Sequence, residues 1–355
     1  MKRFLAILGA IISVSMLAAC GASDDNNEQG VTVNKGTEAS VEWETETEKE
    51  AITLVYAEVN PLDTIAGQTA KAFKAKVEEL SNGTIRIDVQ HSAVLGSEYE
   101  VLESMLGGSG TIDLARISAF ALTAYGGEKS KLLSLPYTFS NREHFWNFAN
   151  SDLAKEFLME PHENGSGVRG LFYGEEGFRH FFSTESLDGI EDLNGKNVRV
   201  SEDPVMVALV ECFGATPKEV SFADLYSALS RDEVDVAEQP LSNYQSNAFD
   251  EVAENIILDG HTLGAIQVII TDTAWDSLTE EQQQILMEAG VYASEQNRML
   301  SAQMEQEVLA ELVKAGCNVT EIEDIQPWKE AVAPLIEKEI VGMEELYQQI
   351  LDMNK

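Results

Sequence analysis

The chain has 355 residues, of which 44% are hydrophobic, so it is long enough to bury one large core or two ordinary α/β domains. Its 61 acidic and 24 basic residues give a net charge of −37, which repels nucleic acid and anionic lipid headgroups and excludes both as partners. A small organic anion is not excluded, because salt screens exposed charges within about 8 Å and a local group of arginines sets its own potential.

The first residues have the pattern of a targeting segment. A basic start, MKR, precedes an apolar run over residues 4–17, and the small-residue sequence LAAC ends at Cys20. This sequence resembles a bacterial lipobox, in which the cysteine is lipidated; an ordinary secretion signal with a chance cysteine is the alternative. We therefore predict a lipoprotein signal peptide over residues 1–19, lipidation at Cys20 and a disordered acidic tether over residues 20–50. The expected location is extracytoplasmic, lipid-anchored to the cell membrane.

Strand and helix patterns alternate from residue 52 onward. The segments ITLVYA, IRIDVQ and TIDLARIS predict strands, and a helical pattern between the first two ends at Ser81. Ser97 with Glu100 three residues later is a capping-box pattern that opens the helix EYEVLESML. LLSLPYTF is a further apolar segment. This alternation predicts a mostly parallel sheet with crossover helices.

The same alternation resumes near residue 197. NVRV, VDVAEQ, NIILD and AIQVIIT predict strands, Asp203 with Pro204 caps the helix MVALVECF, and Ser221 caps FADLYSALS. Thr279 then opens a helical pattern that runs to about Gly316. At 1.5 Å per residue this helix would span about 50 Å, which is longer than one lobe needs. The pattern therefore predicts a helix that lies across two lobes.

Two arginines lie in segments that otherwise have the pattern of buried strands. Arg179 is part of FRHFF, and Arg199 is part of NVRV. A guanidinium keeps its proton, so a buried head group needs a carboxylate or a similar acceptor opposite it. That acceptor is either one of the chain's own acids or the carboxylate of a ligand, and the pattern alone favours an ordinary internal ion pair.

The sequence lacks the common motifs of catalysis and of metal binding. It contains no GxSxG, HExxH, P-loop, GxGxxG or paired CxxC, and its five histidines have no ligand spacing. We therefore expect no enzyme activity, no metal and no cofactor. Cys212 and Cys317 each lie in an apolar segment, which favours free buried thiols over a disulfide.

Nine segments, taken in order, resemble the substrate-binding protein of a tripartite ATP-independent periplasmic (TRAP) transporter, of the DctP-like family. They are SNGTIRIDV, SAVLGSEYEVLESM, GTIDLARIS, LPYTF, GFRHFF, IEDLNGKNVRV, FGATPKEVSFADLYSAL, VDVAEQP and WDSLTEEQQQIL. The resemblance implies an α/β, two-lobed, type II periplasmic-binding-protein-like fold with hinge strands and a long helix spanning both lobes. It assigns residues 51–176 with 265–304 to lobe I and residues 177–264 with 305–355 to lobe II. The implied partners are a small organic acid and the TRAP membrane permease subunits, and a monomer is expected.

The resemblance also implies roles for the two arginines. Arg199 takes the place of the family's arginine that forms a paired salt bridge with the ligand's carboxylate, and Arg179 assists. A planar guanidinium donates two parallel hydrogen bonds to a carboxylate, which fixes orientation and adds energy. Gln239 stands in VDVAEQP where the family normally has an asparagine, so a donor remains but its reach is one methylene longer.

Four further side chains match contacts of the family. Phe222 matches an aromatic that lines the cleft, Glu98 and Asn60 match polar contacts, and His261 follows the return of the chain to the first lobe. For each of them an ordinary core, surface or hinge position remains an open interpretation.

The ligand is left open among several organic acids. Arg116 in LARIS, with LPYTFSNREHFW after it, resembles the branch of the family that takes sugar acids, and Tyr137, Tyr173 or Tyr56 would offer a ring face to sugar carbons. A hexuronate or related sugar acid is therefore preferred. A C4-dicarboxylate or sialic acid remains an alternative ligand, and a ligand-sensing binding protein for a signalling receptor remains an alternative role.

Overall fold

A computed structural model describes residues 51–201 and 203–354; the predicted signal peptide, Cys20 and the acidic tether lie outside these residues. The strands within them are β1 (Ile52–Ala57), β2 (Ile85–Gln90), β3 (Leu114–Ser118), β4 (Val168–Ser183), β5 (Asn197–Val200), β6 (Thr216–Glu219), β7 (Val236–Pro240), β8 (Asn255–Thr271) and β9 (Asn318–Glu321). The helices are α1 (Ile65–Leu80), α2 (Glu98–Leu106), α3 (Arg142–Ala149), α4 (Asp152–Glu163), α5 (Pro204–Cys212), α6 (Leu225–Ser230), α7 (Leu241–Ser246), α8 (Asp272–Ser277), α9 (Glu280–Ala315), α10 (Gln326–Glu339) and α11 (Glu344–Leu351).

One mixed sheet runs through the described chain in the order β2-β1-β3-β8-β4-β7-β5-β6, with β9 also paired to β8. The outer pairs β1–β2, β1–β3, β5–β6 and β5–β7 are parallel, as the alternation of strands and helices predicts. The two long central strands, β4 and β8, are antiparallel to each other. The segments NIILD and AIQVIIT, which the sequence predicts as separate strands, are the two ends of β8. Strands β1 to β3 therefore flank one end of the central pair, and β5 to β7 flank the other.

Two irregularities interrupt the pairing of β4 with β8 near the middle of the sheet. The first lies at Gly177, whose φ of +95° is a conformation that side chains with a Cβ rarely adopt. At the second, the pairing passes from Arg179–Thr262 to Phe181–Ile257, so β8 takes five steps where β4 takes two. Such bulges bend a strand and re-aim its side chains, and here they set the directions of the residues between 258 and 261.

The long helix α9 begins and ends where the sequence predicts. Thr279 and Gln282 form a capping box at its start, and Gly316 ends it in the left-handed conformation. Its first half packs Leu286 into a core that includes β1, β2 and α1, and its second half packs Leu312 into a core that includes β7 and α6. The prediction of a helix that crosses both halves of the sheet is therefore confirmed.

Local capping patterns are also confirmed. Ser97 and Glu100 form the predicted capping box of α2, and Asp203 caps α5 with Pro204 in its first turn. Ser221 accepts a hydrogen bond from the backbone of Asp224, but the helix there opens with a short 3₁₀ segment, Phe222–Asp224, before α6.

The C-terminal helix α11 packs against α3. Ile350 lies in one hydrophobic core with Phe145, and its carbonyl oxygen is 2.7 Å from Nε2 of His144. The predicted lobe boundaries stay a prediction. These contacts place the last turns of the chain, which the resemblance assigns to lobe II, against α3, which it assigns to lobe I.

Cys212 and Cys317 are free and half-buried, which confirms the prediction of free thiols but not that of complete burial. Across residues 51–201 and 203–354, the helices lack the combination of length and apolar character that crossing a bilayer requires.

Asn297 fastens α9 to the middle of β4, and its removal is expected to destabilise the protein. Its amide donates to Thr69 Oγ1 at 2.9 Å and to the carbonyl of Glu175 at 3.0 Å, and it accepts from the backbone amide of Glu175 at 2.8 Å. Asn297→Ala leaves buried backbone groups without partners, so we expect a loss of about 2–4 kcal/mol in the free energy of unfolding, measured in urea. Gln306→Ala, at an exposed position of the same helix, is the control and should change stability by less than about 0.5 kcal/mol. Equal stability of the two variants would show that Asn297 does not hold the helix.

Candidate functional site

A cleft of about 200 Å³ lies where the two halves of the sheet meet. One wall comes from the ends of β1 and β3 and the start of α2, and the other from β5, the start of α5, β7 and α7. Seven of the nine predicted ligand-binding residues line it: Arg199, Arg179, Gln239, Arg116, Phe222, Glu98 and Asn60. The fold therefore brings together residues that are far apart in the sequence.

Arg199 reaches the cleft from β5 with part of its guanidinium free. Its side chain is 2% exposed, and its Nε donates to the carbonyl of Val220 at 2.8 Å. Nη1 has no hydrogen-bond partner within the described chain, and Glu238 Oε1, 4.0 Å away, is beyond hydrogen-bonding distance. Burial lowers the pKa of Arg199 to about 10, so the group remains charged at neutral pH.

Arg179, by contrast, has a carboxylate partner from the chain itself. Its Nε donates to one oxygen of Glu238, and its Nη2 donates to the other at 2.8 Å. Burial alone would raise the pKa of Glu238, but Arg179 and His261 outweigh it and hold that pKa at about 2. For Arg179 the acceptor that the sequence left open is therefore internal, although the residue still lines the cleft.

Arg116, on the opposite wall, lies among three carboxylates. Its guanidinium donates to Glu176 and, at 3.3 Å, to Glu98, while Glu58 lies 4.0 Å from its Nε. Burial raises the pKa of Glu58 to about 7, and the charge of Arg116 limits the rise. The charge of Arg116 is therefore already balanced within the protein.

The other predicted residues on the cleft wall differ in how far their polar groups are engaged. Asn60 donates to Glu58 at 3.1 Å and to Glu176 at 3.2 Å, so its amide belongs to the Arg116 cluster. Glu98 also accepts from the backbone amide of Ser118 at 2.8 Å. Gln239 is buried in the wall.

Phe222 is half-buried and meets Phe249 edge to face, with ring centroids 6.0 Å apart. It therefore contributes both to the cleft wall and to the core beneath it.

Two predicted ligand contacts are corrected by the structure. Tyr137 lies outside this cleft and lines a second cavity with His180 and Asp259, because the chain turns there with a φ of +58°. His261 is fully buried behind the cleft, where the bulge in β8 directs it towards Glu238.

The tyrosines considered for a sugar ring face also lie elsewhere. Tyr56 and Tyr173 are buried in hydrophobic cores away from the cleft lining. The aromatic rings on the cleft wall are instead Phe120, Tyr99, Tyr125 and Phe222. The first three of these follow β3 or lie at the start of α2, and no distinctive sequence pattern marks them as part of a cleft.

Three further polar residues line the wall and are not among the predicted ligand contacts. Asp203 was predicted only as a helix cap, and Glu176 and Asn243 were not singled out. Asp203 caps α5, Glu176 lies in the middle of β4 and Asn243 lies in the first turn of α7, and no local sequence pattern marks these positions as part of a cleft. Among the described residues, no group of three or more His, Cys, Asp or Glu side chains is arranged to hold a metal ion.

Three buried ionisable side chains, Asp259, His261 and Glu238, follow one another behind the cleft, and we call them the charge chain. His261 Nδ1 is 2.6 Å from Asp259 Oδ2, its Nε2 is 3.5 Å from Glu238 Oε2, and Phe181 stacks on its ring at 4.5 Å. Burial would lower the pKa of His261, but the two carboxylates outweigh it and raise that pKa to about 9. His261 is therefore a buried imidazolium that helps to hold Glu238 in its position beside Arg179.

This charge chain makes stability depend on pH. Because the pKa of His261 rises from its ordinary 6.5 to about 9 on folding, the folded state keeps a proton that the unfolded chain releases. The contribution of His261 is fully present below pH 6.5 and is lost as the pH rises through 9. We expect the free energy of unfolding to fall by about 2–3 kcal/mol between pH 7 and 9, measured in urea.

His261→Gln is the comparison for this measurement, because glutamine fills similar space without titrating. The variant is expected to be less stable at pH 7 but to lose much less stability between pH 7 and 9. A wild-type protein equally stable at both values would contradict the charged state of His261.

A model of the family described as bacterial extracellular solute-binding protein, family 7, matches residues 56–341, well over half of the chain. The sialic acid-binding periplasmic protein SiaP of Vibrio cholerae is 27% identical over 267 residues, which cover 75% of this chain and 82% of that protein.

Two solved structures superpose closely. A TRAP periplasmic solute-binding protein from Xanthobacter autotrophicus Py2 with bound β-D-galacturonate has a TM-score of 0.80 and 25% identity, and the match covers 84% of this chain and 99% of that one. A second, from Polaromonas sp. JS666 with bound D-erythronate, has a TM-score of 0.81 and 26% identity, with 86% and 99% covered.

These likenesses confirm the two-lobed, type II periplasmic-binding-protein-like fold that the resemblance implied. The position of the cleft, between the two halves of the sheet, is also typical of a ligand site in such a fold. The chain belongs to the bacterial extracellular solute-binding proteins of family 7, and it is a solute-binding protein of the TRAP type.

Proposed function

We propose that the protein captures an organic acid in the cleft, where Arg199 pairs with the carboxylate of the ligand. The observation that carries this proposal is the buried guanidinium of Arg199, a residue of the cleft wall whose Nη1 has no hydrogen-bond partner in residues 51–201 and 203–354. A buried charge of this kind is costly unless a partner balances it. Glu238 does not serve, because Arg179 and His261 already hold it.

Arg179 has a supporting role in this proposal. Its paired hydrogen bonds keep Glu238 turned away from Arg199, so the nearest internal carboxylate stays beyond hydrogen-bonding distance. The ligand's carboxylate then provides Arg199 with the hydrogen-bond acceptor that Glu238 does not provide. Because the cleft is divided between two halves of the sheet, a ligand that contacts both walls would favour a closed arrangement of them.

The preferred ligand is a hexuronate or a related sugar acid. Two structures that resemble this one at 25% and 26% identity hold a hexuronate and an aldonate. The cleft wall combines charged side chains with four aromatic rings, a composition that suits a ligand with both polar groups and carbon–hydrogen faces. The similarity to a sialic acid-binding protein favours sialic acid as the second candidate.

Delivery of the loaded protein to TRAP membrane permease subunits completes the proposed function. The family match and the TRAP structures support this step. We further propose that Cys20, outside the described residues, is lipidated and tethers the protein to the outer face of the membrane. The lipobox-like LAAC sequence supports this anchor.

Removing the guanidinium of Arg199 tests the site. Arg199→Ala is expected to weaken binding of D-galacturonate by about 2–5 kcal/mol, because the ligand's carboxylate loses its partner in a desolvated site. Arg199→Lys should also weaken binding, since an ammonium does not reproduce the planar pair of donors. Isothermal titration calorimetry measures both, and Arg86→Ala, at an exposed position on β2, is the control with the same loss of charge.

Wild-type affinity in both Arg199 variants would overturn the proposed role of this residue. A thermal-shift panel of D-galacturonate, D-erythronate, sialic acid and succinate ranks the ligand classes. Saturation at a hundred times the dissociation constant stabilises the folded state by about 2.7 kcal/mol, which such a panel resolves. A sialic acid shift larger than the sugar-acid shifts would replace the preferred ligand with the second candidate.

Lipidation predicts a specific change in cell fractions. In cells that express the full chain, metabolic labelling with palmitate should mark the wild-type protein and not Cys20→Ser, and only the wild type should remain with the membranes. Cys212→Ser is the control for a general effect of losing a thiol. Equal labelling of the wild type and Cys20→Ser would exclude the anchor at this residue.

A further inference from the structure

Four residues on the cleft wall carry a buried polar atom without a hydrogen-bond partner in the described part of the chain. Two of the atoms are donors, Arg199 Nη1 and Arg116 Nε, and two are acceptors, Asp203 Oδ2 and Asn243 Oδ1. A buried polar group without a partner is costly, so a ligand that fits the cleft should satisfy both kinds. The proposed carboxylate provides an acceptor for Arg199 Nη1. The two protein acceptors require donors from the same ligand.

Asp203 has one carboxylate oxygen with a partner and one without. It caps α5, and its Oδ1 accepts a hydrogen bond from the backbone amide of Val205 at 3.0 Å, whereas its buried Oδ2 has no partner among the described residues. The residue is 6% exposed and lines the cleft four positions after Arg199. Burial raises the pKa of Asp203 to about 6, so the carboxylate is still mostly ionised at neutral pH.

Asn243 is oriented by a neighbouring carboxylate. Its Nδ2 lies 3.4 Å from Glu176 Oε1, and a carboxylate accepts hydrogen bonds but does not donate them. The amide must therefore turn its nitrogen towards Glu176, which leaves Oδ1 as an acceptor without a partner among the described residues. The residue is 2% exposed, so bulk water does not provide a ready substitute.

The charges on the wall lead to the same requirement. Arg116 is balanced by Glu176 and Glu98, and Arg179 is paired with Glu238. Once these internal pairs are set aside, one cationic group remains for the ligand, Arg199. A second carboxylate would find no free cation and would lie near the unpaired carboxylate of Asp203, a like charge.

We propose that Asp203 and Asn243 determine specificity by accepting hydrogen bonds from ligand hydroxyl groups, so that the cleft takes hydroxylated monocarboxylates and rejects dicarboxylates. This inference rests on the proposed function, since it assumes that an organic acid binds at Arg199. A dicarboxylate without hydroxyl groups, such as succinate, has no donors at neutral pH and leaves both acceptors unsatisfied. A sugar acid offers several hydroxyl groups and a single negative charge.

Asp203→Asn is the decisive variant because it keeps the helix cap. The amide oxygen can accept from Val205 in place of Oδ1, and the amide nitrogen then replaces the free carboxylate oxygen. This change removes the like charge and converts an acceptor into a donor. We expect succinate to bind more tightly, and the ratio of D-galacturonate to succinate affinity to fall by about tenfold or more, measured by calorimetry.

Asn243→Ala tests the second acceptor. It is expected to weaken D-galacturonate by about fivefold or more while succinate changes less, because only the hydroxylated acid uses the amide oxygen. Asp192→Asn removes the same charge from an exposed capping acid outside the cleft and should leave the ratio unchanged. Melting curves of all three variants establish that they are folded.

The outcomes separate the two proposals. If the wild type binds D-galacturonate and Asp203→Asn keeps the wild-type ratio, this inference is overturned and the proposed function stands. If the wild type prefers succinate, the inference is also overturned, although capture of an organic acid is supported. If the wild type binds none of the panel, the proposed function fails, and the inference fails with it.

Discussion

Arg199 carries a positive charge into a part of the protein from which water is largely excluded, and the protein balances that charge only from a distance. Its closest carboxylate, Glu238, is 4.0 Å away and is bound by Arg179 and His261. Holding Glu238 in this way requires a second layer of charges, since His261 in turn depends on Asp259. The cluster therefore places a carboxylate of the protein near Arg199, which reduces the cost of burial, yet leaves Nη1 without a hydrogen-bond partner among the described residues.

The central strands β4 and β8 make this arrangement possible. An ordinary antiparallel pair would alternate its side chains between the two faces, but the bulges near the middle of the pair break that alternation. Asp259 and His261 consequently lie behind the cleft, where they hold Glu238, rather than on its wall. The long helix α9 crosses the same region, where its Asn297 hydrogen-bonds the backbone of β4. The helix therefore stabilises the sheet at the point where its two halves meet.

The wall of the cleft also shows why counting arginines misjudges a binding site. Three arginines line it, which suggests a strongly cationic site suited to a dianion. The ion pairs leave a different site, with one available cation and two unsatisfied acceptors. If an organic acid binds here as proposed, selectivity depends on hydrogen-bond complementarity, because an unmatched buried acceptor penalises a ligand that lacks a donor.

The sequence by itself determined the local elements and the family. Capping residues such as Ser97, Thr279 and Gly316 act on their own neighbours in the chain, so the limits of α2 and α9 were readable in advance. The pattern of NVRV predicted a strand that places an arginine at 199 among apolar residues, because the pattern along a strand is also a local property.

Only the tertiary structure decided which arginine keeps an available edge. Arg179 and Arg199 have the same sequence signature, a guanidinium in an apolar strand, but Glu238 lies within reach of both and binds one of them. Likewise, the local sequence does not show that His261 is buried behind the cleft and is not on its wall. The local sequence also marks Asp203 only as a helix cap. Ion pairing and the direction of a side chain at a bulge depend on residues that are distant in sequence, and their positions are set when the two halves of the sheet pack together.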